Sequence, residues 1–157
     1  MSGNEPFVDP LENYDPKKYS DPLEKAIAEE TVSQIQHRPH ASVAPDASVA
    51  EAVKKLATEH VACLLVEEHG KLVGLFTDRE VLNKVALEES SMDTPVRDVM
   101  TTDPVYVYED DPAAAALCVM AVSGYRHVPV VDNQERVVGI ISPKRVTEFL
   151  SKHFAAS

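Results

Sequence analysis

Lys71-Leu72-Val73-Gly74-Leu75-Phe76-Thr77 and Arg136-Val137-Val138-Gly139-Ile140-Ile141-Ser142 are two spellings of one segment: an apolar strand with a central glycine and a terminal hydroxyl. Working outward from each, the same pieces recur in the same order. Just upstream lie the apolar runs Ala62-Cys63-Leu64-Leu65-Val66 and His127-Val128-Pro129-Val130-Val131. Further upstream, Ala41-Ser42-Val43-Ala44-Pro45-Asp46 matches the stretch from Val105 to Asp110, and Val32-Ser33-Gln34-Ile35 matches Val96-Arg97-Asp98-Val99. The offset is 64 residues at the openings and 65 after one extra residue in the turn near Asn133. Two copies that cannot each bury a full core imply one pseudo-twofold unit with its special chemistry at the seam.

Each copy reads strand, helix, strand, strand, helix. In the first, residues 41–43 form a short strand, and Ser48 caps a helix over 49–59 whose apolar positions Val49, Ala52, Val53 and Leu56 fall at helical spacing. Residues 63–66 are nearly all apolar, as expected of a strand covered on both faces. Gly70 turns the chain into a strand over 72–76, and a second helix follows over 78–87. The second copy places its helices at 112–123 and 143–152, after a polar connector over 88–95. The fold class is therefore α/β, an α+β sandwich per repeat with helices on one side and two pseudo-twofold-related β-α-β-β-α units. The divisions are 1–31, 32–90 and 91–157. The start of the chain, with Pro6, Pro10 and Pro16 among acidic residues and Phe7, Tyr14 and Tyr19, reads as an extended tail lying against the folded part. Asp21 then caps a helix with Pro22 in its first position, running to about Gln34 with Leu23 and Ile27 facing inward.

Composition narrows the function classes. The net charge of −11 over 157 residues argues against a nucleic-acid footprint, which is normally a basic patch. No apolar run approaches the ~20 residues of a membrane span, and the opening lacks the basic and apolar regions of a secretion signal. Cys63 and Cys118 both sit in apolar surroundings and read as buried free thiols of a reducing cytoplasm. No Ser-His-Asp order, Walker-type glycine loop or Glu-x-x-His pair is present, so no catalytic constellation is read from the chain.

Gly74-Leu75-Phe76-Thr77-Asp78-Arg79-Glu80, Gly139-Ile140-Ile141-Ser142-Pro143-Lys144-Arg145, Val128-Pro129-Val130-Val131-Asp132 and Met100-Thr101 resemble the CBS domain, named after cystathionine β-synthase. The resemblance covers about residues 32 to 152, and its specificity lies in the twice-repeated order. It implies a tandem pair, or Bateman module, binding adenosine-containing ligands (AMP, ADP, ATP, S-adenosylmethionine, sometimes NAD) between the repeats. It also implies a regulatory role, no required cofactor, and pairing of modules into a flat homodimer through helical faces; a regulated protein partner would read out occupancy.

The resemblance assigns Thr77 to phosphate and the carboxylate three residues on, Glu80, to ribose, with Asp78 between them. A second reading stands beside it: Thr-x-x-Glu is a capping box that needs no ligand, and the family usually has Asp where this chain has Glu80, whose longer arm can fold back. In the second cleft Ser142 keeps the hydroxyl, but Arg145 replaces the ribose carboxylate. A guanidinium only donates, so with Lys144 it suits a phosphate or an empty cleft. Arg126 and His127 occupy positions where some members carry a basic pair facing phosphates; the bland alternative is an Arg126 surface ion pair worth ~0.5 kcal/mol. His40 and Ala41 follow Pro39 in the loop that the resemblance places beside the first cleft. Pro39 breaks any helix there, so His37 and His40 lack the geometry of a helical zinc pair. The other function class left open is a dimeric scaffold with degenerate clefts.

Overall fold

The computed structural model describes residues 18–87 and 91–154. The tail residues Phe7 and Tyr14, the tail prolines and part of the connector lie outside the described residues. The chain forms α1 (Pro22–Glu29), β1 (Ser42–Val43), α2 (Val49–Glu59), β2 (Cys63–Glu68), β3 (Lys71–Thr77), α3 (Asp78–Glu80), β4 (Thr101–Thr102), β5 (Val107–Tyr108), α4 (Ala113–Ser123), β6 (Val128–Val131), β7 (Val137–Ile141) and α5 (Pro143–Phe154). The expected α/β repeat is present twice, in sheets ordered β1-β2-β3-β4 and β5-β6-β7.

Local sequence accounts for most element ends. Asp21 accepts from the Glu24 amide and Pro22 opens α1, while Ser48 and Glu51 form a reciprocal capping box on α2. The left-handed position that ends α2 is His60 (φ 54°), and its counterpart after α4 is Gly124 (φ 69°). Val49, Ala52, Leu64, Val66 and Phe76 are buried in the first core.

Two expectations are corrected. The first helix stops at Glu29 and does not reach Gln34; a separate 3-10 turn covers Val32–Gln34. The cause is tertiary: the Glu30 carbonyl accepts from Ala113 N at 2.7 Å, and Val32 N donates to Asp111 O at 2.8 Å, so the second repeat captures this backbone. The helix after β3 is α-helical only over Asp78–Glu80 and continues as a π-helix over Val81–Ala86.

The repeats exchange their openings. Val32 and Ile35 are buried in the core of the second repeat, whereas Val96 and Val99 are buried in that of the first. The bonds match across the 64-residue offset: Val32 N donates to Asp111 O, and Val96 N donates to Ala47 O, both at 2.8 Å. β4 extends this crossing by pairing antiparallel with β3, Thr101 opposite Leu75. His37 does the equivalent on the other side, its carbonyl accepting from Ile140 N at 2.8 Å. A unit in sequence is therefore not a unit in space.

The two glycines quoted first lie under these crossings. A Cβ on Gly74 would meet the Met100 thioether and, at 2.8 Å, the Thr101 carbonyl; a Cβ on Gly139 would meet the His37 carbonyl and ring. The sheets then face each other through Cys63, Leu65, Leu75 and Ile140, flanked by Leu72 and Val137. This apolar patch is the floor of the seam.

Candidate functional site

Two cavities open on the seam, one for each hydroxyl-ended strand. The first, about 230 Å³, is lined by Thr77, Asp78, Arg79 and Glu80 from the end of β3 and the helix after it, with Thr101 from β4. Its opposite wall is Gly124, Tyr125, Arg126 and His127, the turn between α4 and β6. The second, about 350 Å³, places Ser142, Arg145 and Ile140 opposite His60, Ala62 and Cys63, with Pro39, His40 and Ala41 along one side. Ala62 and His127 line both cavities, so the clefts share a wall at the pseudo-twofold centre.

In the first cleft Glu80 is already engaged. One oxygen, Oε2, accepts from Thr77 N (2.8 Å) and Thr77 Oγ1 (2.5 Å), while Oε1 accepts from Thr101 Oγ1 (2.8 Å). The Thr77 hydroxyl in turn accepts from Arg79 N at 3.1 Å, which completes the capping box. The residue is only 6% exposed, and with three donors on it the carboxylate fastens β3, its following helix and β4 together. The exposed neighbours differ. Neither the Asp78 carboxylate nor the Arg79 and Arg126 guanidinium groups form a hydrogen bond or ion pair among the described residues. The surface ion pair considered for Arg126 is absent among those residues. Burial, together with the nearby Arg126 and Arg145 charges, holds the His127 imidazole below its ordinary value, against a raising pull from Asp78.

In the second cleft Arg145 is fastened to backbone. Its Nη1 donates to Ile140 O and its Nη2 to Pro39 O, both at 2.7 Å, and its own amide donates to Ser142 Oγ at 3.4 Å. Burial draws its pKa down, Glu148 opposing. Lys144 lines neither cavity; it stands exposed on α5, 3.9 Å from Glu148. His40 and Ala41 also differ from expectation, because the crossing carries them to the second cleft instead of the first. His40 Nε2 lies 3.3 Å from Glu67 Oε2, and that contact holds the Glu67 carboxyl below its usual range. The Cys63 thiol is pushed up to about 12 by burial, with Glu80 and Asp78 adding to the rise, so it remains a protonated wall atom. Cys118, expected to be buried, is exposed on α4. No cluster of three or more potential metal ligands occurs among the described residues.

Sequence reasoning assigned Thr77, Asp78 and Glu80 to the first cleft and gave Arg126 and His127 as a phosphate-facing pair without assigning them to a cleft; all five line the first cavity. It missed Arg79 and Thr101 in the first cavity and His60 in the second. Thr101 was signalled by the Met100-Thr101 opening; His60 had no periodic or motif signal, since it reaches the cavity by ending α2.

The sequence profile described as CBS domain matches residues 32–87 and 96–152. The CBS domain-containing protein CBSCBSPB5 of Arabidopsis thaliana is 36% identical over 109 residues, 68% of this chain, and the aligned part is 20% of that protein's length. An uncharacterized 17.7 kDa protein of Acidianus ambivalens is 32% identical over 112 residues, covering 71% of this chain and 67% of the relative. Among solved structures, the CBS domain pair of protein MJ0100, in complex with 5'-methylthioadenosine and S-adenosyl-L-methionine, is 28% identical. It superposes with a TM-score of 0.68, covering 78% of this chain and 96% of that one.

Proposed function

Because this chain belongs to the CBS domain family, we propose that it is a regulatory module binding an adenosine-containing nucleotide of the AMP, ADP and ATP class in the first cleft. One observation carries the reading: Arg79, Arg126 and His127 stand around one cavity, and neither guanidinium is neutralised by a paired carboxylate among the described residues. Such a set suits a phosphate. The adenosine end is supported by the MJ0100 pair, whose named ligands both contain adenosine. Neither ligand carries a phosphate, so the preference for a nucleotide over S-adenosylmethionine rests on the cations of this chain.

Occupancy acts by shifting the populations of two arrangements of the halves, which a regulated protein partner reads in the cytoplasm. No cofactor is needed, and the role is binding, not catalysis. The module pairs with a second copy through α4. That helix is apolar on all sides, yet Val122 is 88% exposed and Cys118 and Ala121 are also open. A helix apolar all round belongs in a covered place.

Thermal unfolding with and without AMP, ADP, ATP, NAD and S-adenosylmethionine tests the reading. A nucleotide at about 100 times its dissociation constant adds about 2.7 kcal/mol, several degrees in Tm. The second reading is a dimeric scaffold with degenerate clefts, favoured by the way Glu80 and Arg145 are both taken up by protein groups. It is the outcome if no ligand in the panel moves the transition.

A further inference from the structure

We propose that Asp78, and not Glu80, receives the ribose hydroxyls of the nucleotide in the first cleft, an assignment that rests on reading this cleft as an adenosine site. A ribose diol brings two O–H donors and needs acceptors on the protein. Two carboxylates line the cavity, Asp78 and Glu80. An ionised carboxylate offers about four acceptor positions. Three of those on Glu80 are filled, by Thr77 N, Thr77 Oγ1 and Thr101 Oγ1. One position cannot take two hydroxyls. Freeing a second would release Thr101 from Glu80, or break the cap at Thr77.

Asp78 has the opposite situation. It is exposed, its carboxylate accepts no hydrogen bond among the described residues, and it lines the same cavity. It also stands close enough to His127 to raise that ring's proton affinity, so its charge is felt at the wall that carries Arg126. The cleft thus offers one carboxylate with no hydrogen bond among the described residues, Asp78, beside open donors on Arg79 and Arg126. This is the complement of a molecule with a diol at one place and a phosphate at another. Removal of the diol therefore registers at Asp78, and the Glu80 clasp registers in folding instead.

The test compares AMP with 2',3'-dideoxy-AMP by calorimetric titration of the full chain, wild type, Asp78→Asn, Asp78→Ala and Glu80→Gln. The expected result is that wild type prefers AMP by about tenfold or more, as loss of hydrogen bonds to a charged acceptor implies. Asp78→Ala binds the two nucleotides equally and Asp78→Asn, which keeps a neutral acceptor, shows a reduced preference, while Glu80→Gln melts earlier but keeps the preference. A preference that survives in full in folded Asp78→Ala, or that vanishes only in Glu80→Gln, overturns the assignment. Wild type that binds AMP without any preference overturns the assignment alone. Wild type that binds neither nucleotide overturns the adenosine reading and the assignment with it.

Discussion

Three residues after the hydroxyl that ends the central strand, the first cleft carries a carboxylate, Glu80, and the second a guanidinium, Arg145. Their surroundings show why opposite charges stand at equivalent places. Each group ties its own repeat to the segment arriving from the other: Glu80 to Thr101 of β4, Arg145 to the Pro39 carbonyl. Where the arriving segment presents a hydroxyl and an amide needs a partner, a carboxylate fits; where it presents a carbonyl beside that of Ile140, a donor fits. The shared property of the position is the clasp, and the charge follows from what is clasped. Under the proposed assignment, this difference would move ribose recognition to a neighbouring residue in the first cleft, and it leaves no acceptor at that position in the second.

The crossing itself supplies the largest effects. Gly139→Ala puts a methyl group against the backbone of His37, which cannot move without opening the seam; a loss of about 3 kcal/mol in urea unfolding is expected. Gly74→Ala meets the flexible Met100 side chain first, although the Thr101 carbonyl is also near, and costs less, about 2 kcal/mol. Equal and negligible losses would mean that the crossings are not tight. Next come the clasps. Glu80→Ala leaves three donors at a nearly buried site without their acceptor and costs about 2 kcal/mol. Arg145→Ala releases two carbonyls at a more exposed site and costs about 1 kcal/mol. The reverse order in matched denaturation curves would break the account of Glu80 as the stronger tie.

The repeat, its elements and the 77–80 side of the first cleft were legible because they are written locally. Periodicity marked α2, and Ser48 and Thr77 marked helix starts. The exchange of openings was not legible. Val32 and Ile35 have the same apolar character whichever core they enter, so no local rule says that they cross to the other repeat. The misplacements of His40 and of the end of α1 follow from that single fact. Lys144 illustrates another limit: neighbours in sequence on a helix point about a quarter-turn apart, so Arg145 can line a cleft while Lys144 faces water.

His127 gives the smallest effect and the finest probe of the two clefts, because it lines both. Burial is the main reason its pKa lies below 6.5 in the folded chain. The unfolded chain then binds more protons just below that pH, so stability falls as pH drops through the window under about 6.5. The ring is only partly buried, which keeps the contribution below about 1 kcal/mol. His127→Gln should remove this slope, read as the difference in urea midpoint between pH 7.5 and 5.5; slopes from other histidines are common to both proteins and cancel. A steeper slope in the variant would mean that the Asp78 attraction outweighs burial. Arg126→Met removes the cation on the first-cleft side, and Arg145→Met the one on the second. Whichever variant flattens the slope more identifies the cleft whose charge governs the shared wall. A phosphate seated beside Arg126 adds negative charge at that wall and raises the His127 pKa. Saturating AMP, whose own phosphate also titrates at about pH 6, should therefore change the slope differently in wild type and in His127→Gln, the difference being a flattening.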